Sequence, residues 1–137
     1  MVQSQGQVVV ARFRRRALNA ADRAEFPYQV NLTVEINSPD HRGLPTTQEN
    51  EQLKGIETLL VETLSGPAHF VAVVTTNGIR EYIWYTAEAS WAVKAASNLQ
   101  ARITTHPVQG TISEDRDWAM LRNIVKSSGK RTLHRSG

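Results

Sequence analysis

Arg80, Tyr82 and Trp84 fall at alternate positions of the run IREYIWYT, residues 79–86, and Val71 and Val73 hold matching positions in the run before it. Alternation at period two puts such residues on one side of a strand. A guanidinium beside two large aromatics is binding chemistry. The guanidinium can grip a carboxylate or phosphate with paired hydrogen bonds, while the rings can fill a partner's pocket or stack on a base. Upstream, Arg12, Arg14 and Arg16 alternate with Ala11 and Phe13, an arginine stripe that fits either phosphate contact or the charge that keeps an edge strand from aggregating. The candidate binding surface is therefore Arg80, Tyr82, Trp84, Val71, Val73, Arg12 and Arg14.

Bond-making chemistry is poorly represented. The chain has no cysteine, which excludes thiol catalysis, cysteine-bound zinc and disulfides. It carries no G-x-S-x-G elbow, no H-E-x-x-H, no calcium loop and no phosphate loop; Gly129-Lys130-Arg131 lacks the upstream glycine and the hydroxyl residue of such a loop. His41, between Asp40 and Arg42, is the histidine placed most like a ligand or catalytic loop, yet no second ligand stands at workable spacing. Glu114 and Asp115 are adjacent carboxylates whose simplest role is to face a helix N-terminus. The expectation is no catalytic residue, no metal and no cofactor.

The elements that must position these residues are readable. Two apolar runs flank Asn77-Gly78, the pair that supplies the positive φ angles of a two-residue hairpin turn. Counting outward, Thr76 faces Ile79, Val74 faces Glu81, Ala72 faces Ile83 and Phe70 faces Tyr85 on one side of the sheet. On the other side Thr75 faces Arg80, Val73 faces Tyr82 and Val71 faces Trp84. The first side has more aliphatic bulk and is expected under helices, which leaves Tyr82 and Trp84 on an outer face.

The stretch 26–36 alternates Phe, Tyr, Val, Leu, Val and Ile with Gln29, Asn31, Thr33 and Glu35, a strand whose polar side marks the exposed face. After the turn-rich loop 37–45, Thr46 with Glu49 reads as a capping box, opening a helix with Leu53, Ile56, Leu60 and Leu64 on its buried stripe and Gly66-Pro67 as its stop. A second helix, capped by Thr86, runs to about Arg102 with Trp91, Ala95 and Leu99 inward. A short strand covers 107–113, and a third helix covers 114–125, with Trp118, Leu121 and Val125 at helical spacing and Asp115 and Asp117 near its N-terminus.

Strand, helix, hairpin, helix and strand in this order give βαββαβ, a ferredoxin-like α+β domain over residues 1–125 with two main helices on one face of an antiparallel sheet. The extra strand over 7–18 cannot also pair with 26–36, which already has two neighbours, so it is expected on an outer edge unless the sheet order differs. Residues 126–137 lose the apolar pattern and read as a disordered basic tail. Charge is uneven. Residues 1–23 set five arginines against one aspartate, residues 116–137 set six basic residues against one, and the middle sums to −6 within a net +3. Basic ends suit an acidic partner or are simply solvated. No leader or membrane-length apolar run is visible, which fits a soluble cytoplasmic protein that meets no membrane.

The run VVTTNGIREYIWYT, residues 73–86, with YQVNLTVEINSPDHRGLP before it and SEDRDWAMLRNI after it, resembles the uncharacterised bacterial family numbered 695 among the domains of unknown function. More remotely, in outline, the chain is similar to the regulator of ribonuclease activity B. The resemblance implies a ferredoxin-like fold and an interaction role, and it implies no catalytic residues. Three functions follow as expectations: a non-enzymatic module that binds a protein or its own copy through the outer sheet face; a binder of RNA or single-stranded nucleic acid through Tyr82, Trp84 and the arginines; and an enzyme of unrecognised type using His41, Asp40 and Arg80.

Overall fold

Five antiparallel strands form the central sheet of the computed structural model, which describes residues 3–4, 7–8, 10–13, 25–64 and 68–127, with side chains over 25–64 and 68–123. In chain order the elements are β1 (Gln3–Ser4), β2 (Gln7–Val8), β3 (Val10–Phe13), β4 (Tyr28–Glu35), α1 (Thr47–Leu64), β5 (Ala68–Thr76), β6 (Ile79–Thr86), α2 (Ala89–Arg102), β7 (Val108–Glu114) and α3 (Ala119–Ser127). The sheet order is β3-β5-β6-β4-β7. Its last four members are the ferredoxin-like core, and β3 is added beyond β5, at the outer edge to which exclusion from β4 assigned it. A separate two-stranded ladder joins β1 to β2.

The hairpin turns as its residues demand. Asn77 and Gly78 have φ of +57° and +79°, the left-handed region that glycine enters without cost and asparagine tolerates. The expected pairs hold from Thr76 with Ile79 to Ala72 with Ile83. A bulge then intervenes between Phe70 and Ala72, so Phe70 pairs with Trp84 and His69 with Tyr85. An extra residue in one strand moves every later side chain to the opposite face. Phe70 thus joins the side of Val73 and Tyr82, and Val71 joins the side of Ala72 and Val74.

The helices cover the face opposite to the one expected from aliphatic bulk. Under α1 and α2 lie Val73, Tyr82 and Trp84, with Val30, Leu32 and Val34 of β4 and the stripe Leu53, Ile56, Leu60 and Leu64. The reason is register: β4 sets Val30 beside Trp84 and Leu32 beside Tyr82, so the strand's apolar side carries the aromatics inward with it. Ala92, Ala95 and Ala96 let α2 come close enough for the large rings to fill the space beneath it. Gly110 of β7 lies directly under this helix, with Ala96 Cβ 3.2 Å from where a side chain would begin.

The second face is closed as well. Val71, Ala72, Val74, Ile83 and Tyr85 are buried there with Trp118 and Leu121, and Phe26 and Met120 pack against them. The polar side of β4 is partly inside: Gln29 and Asn31 are buried, and the Asn31 amide donates to Glu81 at 2.8 Å. Several boundaries differ from the sequence reading: β7 runs 108–114 against the expected 107–113, and of the strand expected over 7–18 the described residues form β2 and β3. β4 stops short of Phe26 and Ile36. Thr86 ends β6 and does not cap α2, whose N-cap, Glu88, makes no side-chain capping bond. α3 begins at Ala119, because Asp115 to Trp118 form a turn that ends with Trp118 at φ +54°. The stop residues 65–67 lie outside the described residues, as does the basic tail beyond Ser127; Lys126 and Ser127 themselves belong to α3.

Candidate functional site

Beside its core stripe, α1 carries Asn50, Lys54, Glu57, Thr58 and Val61 along one flank, at the spacing of successive helical turns. This flank and Glu62 overhang the sheet where β5 contributes Val73 and Thr75 and β6 contributes Arg80, and between them runs a groove of about 720 Å³. Arg80 is half-buried at its floor. Its Nε donates to Thr75 Oγ1 at 2.9 Å and Nη1 to Asn50 Oδ1 at 3.5 Å, which leaves Nη2 without a partner among the described residues. Lys54 and Arg80 balance Glu57 and Glu62 in formal charge, while Val73 in the floor and the half-exposed Val61 at the rim add apolar surface. A guanidinium fixed through Nε and Nη1, with Nη2 presented, can donate to an oxyanion such as a carboxylate.

A second constellation is the buried pair of Glu49 and His106. Oε2 of Glu49 lies 2.8 Å from Nε2 of His106, with side chains 6% and 0% exposed. The carboxylate also accepts the backbone N–H of Asn37 and, at 3.0 Å, of Ser38. His106 Nδ1 is 2.9 Å from Thr105 Oγ1. Burial alone pushes the Glu49 pKa up, but the bonds from Ser38, Asn37 and His106 outweigh it and hold the carboxyl below its ordinary value. A carboxylate–histidine pair can move protons in an open site. Here both ring nitrogens and the carboxylate are engaged and covered, so the pair is a latch tying α1 to the loops at 37–38 and 103–107. Half of the expected capping box is present: the Glu49 N–H bonds Thr46 Oγ1, while the Glu49 side chain turns to the loops.

A third cluster sits at the opposite end of the sheet. Tyr85 stacks on Trp118 with ring centroids 4.2 Å apart, and its hydroxyl donates to Asp115 Oδ2 at 2.8 Å. Burial, followed by the Asp115 carboxylate, pushes the phenol's pKa far up. Asp115 caps α3 by accepting from Ala119 and Met120, and the Trp118 indole donates to the Phe26 carbonyl at 2.7 Å. This closes the second face and leaves the phenol no access to a substrate.

The residues singled out from the sequence are therefore dispersed. Tyr82 and Trp84 are fully buried, Val71 lies on the opposite face, and Val73 reaches only the groove floor. They form no outer binding face, because helices cover one side of the hairpin and the Trp118 cluster the other. The Tyr82 hydroxyl donates to the Leu53 carbonyl, while the Trp84 indole N–H is buried without a partner. Among the described members of the set, Arg80 and Val73 line the groove, and Arg80 is the polar one. Arg12 stands opposite Val73 in the β3–β5 ladder, and its side chain, like the whole of Arg14, lies outside the described residues. Of the set His41, Asp40 and Arg80, the Asp40 carboxylate is taken by Arg42 and the Leu44 N–H, which lower its pKa to about 2, and Arg80 is held by Thr75 and Asn50. Among the described residues no group of three potential ligands could hold a metal, and no helix is long and apolar enough to cross a membrane.

Sequence reasoning missed His106 and its partner. Glu49 has a local explanation as a capping residue, and nothing near His106 signals a carboxylate drawn from far away in the chain.

The family model described as a family of unknown function matches residues 1–124. The chain belongs to the DUF695 family. The match spans the N-terminal strands, the hairpin and most of α3, so the groove and both buried clusters are parts of the DUF695 domain. No curated protein and no solved structure matches this DUF695 chain.

Proposed function

We propose that this DUF695 protein is a non-enzymatic interaction module whose α1–β5 groove receives a segment of a protein partner. The observation that carries the reading is Arg80: a guanidinium held by Thr75 and Asn50 in the lining of a groove, with Nη2 still presented. Val61 and Val73 supply the apolar contact, while Lys54 is paired with Glu51, and Glu57 and Glu62 offset the cations, so an extended segment with a single oxygen acceptor for Arg80 between apolar side chains suits the groove. A bacterial, cytoplasmic setting is part of the proposal and agrees with the cysteine-free composition. Stacking of RNA on the sheet is not proposed, because Tyr82 and Trp84 are unavailable to bases.

The test is a photo-crosslinking residue at position 61, used in extract from the source cells with and without nuclease. We expect one discrete protein adduct, unaffected by nuclease and lost in Arg80→Ala, whose thermal melt should stay close to that of the parent chain. No adduct, or the same adduct in Arg80→Ala, would sink the reading. An adduct that vanishes with nuclease would return nucleic acid to the foreground.

A further inference from the structure

We infer that the protein pairs with a second copy of itself through the edge of β7, in a two-fold arrangement centred on Thr111. β7 is the terminal strand of the sheet, and among the described residues nothing pairs with its outer side. Open edges in natural proteins are usually blunted by Lys, Pro or a bulge. The strand is bounded by Pro107 and Glu114, but residues 108–113 carry no charge, proline or bulge; the β4–β7 ladder runs without a shift from Val34 with Val108 to Tyr28 with Glu114. The exposed side chains are Gln109, Thr111, Ser113 and Glu114. The opposite edge differs, since β3 carries Arg12 and leads into Arg14, Arg15 and Arg16.

The strand is complementary to itself. Antiparallel pairing about Thr111 sets Thr111 against Thr111 and Gln109 against Ser113, pairs able to hydrogen-bond across strands, and sets each Glu114 against Val108 so that no like charges meet. Such an interface is isologous and closes after two copies, the commonest form of assembly. The helix above agrees. Ala96 of α2 sits over Gly110 of β7, and the next residues around the helix, away from buried Leu99, include Val93, which is 51% exposed. Val93 therefore lies toward the same edge, where pairing of the strands would bring it to its own copy. This surface is separate from the Arg80 groove and stands or falls independently of it.

The experiment is solution mass by light scattering across a range of protein concentrations, on the intact chain, Thr111→Lys, Thr111→Glu, Val93→Lys and an equimolar mixture of the first two variants. The intact chain should be a dimer. Both Thr111 variants should dissociate at several-fold lower dilution, because like charges then meet at the axis, and Val93→Lys should weaken the dimer too. Thr111 is exposed, so melting curves should show both variants folded. The mixture should regain dimers by opposite-charge pairing, a rescue that only a two-fold axis at this residue predicts. An intact chain that is monomeric throughout overturns the inference. So does a dimer indifferent to both positions, or a mixture no tighter than its components.

Discussion

The two faces of this sheet are buried by different means. On the helix side, residues from α1, α2 and three strands interlock, and removal of any one leaves many others in place. On the other side, Val71, Ala72, Val74, Ile83 and Tyr85 are closed by Trp118 and Leu121 from a short helix, with Asp115 joining the phenol to the helix end. The first is a distributed core and the second a single lid. Burial by many weak contacts fails gradually, whereas burial under one ring held by a stack on Tyr85 and a hydrogen bond to Phe26 fails as a unit.

The largest break in that comparison should come from Trp118→Ala, which removes the stack on Tyr85 and the bond to Phe26. A cost of about 3–5 kcal/mol is expected, as for other buried tryptophans. Amide exchange should then accelerate at Val74 and Ile83 together. Leu99→Ala, by contrast, should cost about 2–5 kcal/mol while exchange on the second face stays slow. If both variants opened both faces alike, the distinction would be wrong.

Next in size is Glu49→Gln, which discharges the latch and gives Asn37, Ser38 and His106 only one carbonyl oxygen to share; a loss of about 2–3 kcal/mol is expected in denaturant unfolding. The pH dependence has a definite sign. Glu49 and Asp40 both have pKa values depressed by folding, Asp40 to about 2, so their stabilisation is present above the ordinary carboxylate range and is lost as pH falls through the folded values. Melting temperature should therefore drop between pH 4 and pH 2, more steeply in the parent than in Glu49→Gln. Equal slopes would remove the latch from the account.

Gly78→Ala should cost about 1 kcal/mol, since φ is +79° at the turn and the space around it is otherwise sufficient. Folding rate is the sensitive readout here, because the hairpin is local. Smallest of all is Arg80→Ala, expected to change stability by less than about 0.5 kcal/mol while abolishing the crosslink at position 61. A large stability loss would mean that Arg80 supports the sheet and does not serve a partner.

Local chemistry was legible in the chain. Asn77-Gly78 dictates its own turn, the stripe from Leu53 to Leu64 dictates α1, and the alternation from Tyr28 to Glu35 dictates β4, because each depends on residues a few positions apart. Exclusion placed β3 at the outer edge, since a strand has only two sides. Of the candidate site, Arg80 and Val73 were legible. Which face the helices cover depends on β4 setting Val30 and Leu32 beside Trp84 and Tyr82, some fifty residues away, and on a bulge at Val71 that no turn residue announces. Glu49 with His106, and Tyr85 with Asp115, likewise join residues that only the folded sheet brings together. Residue types set what each segment can form; the choice of face is a free-energy difference between whole packings, and that exists only once the elements meet.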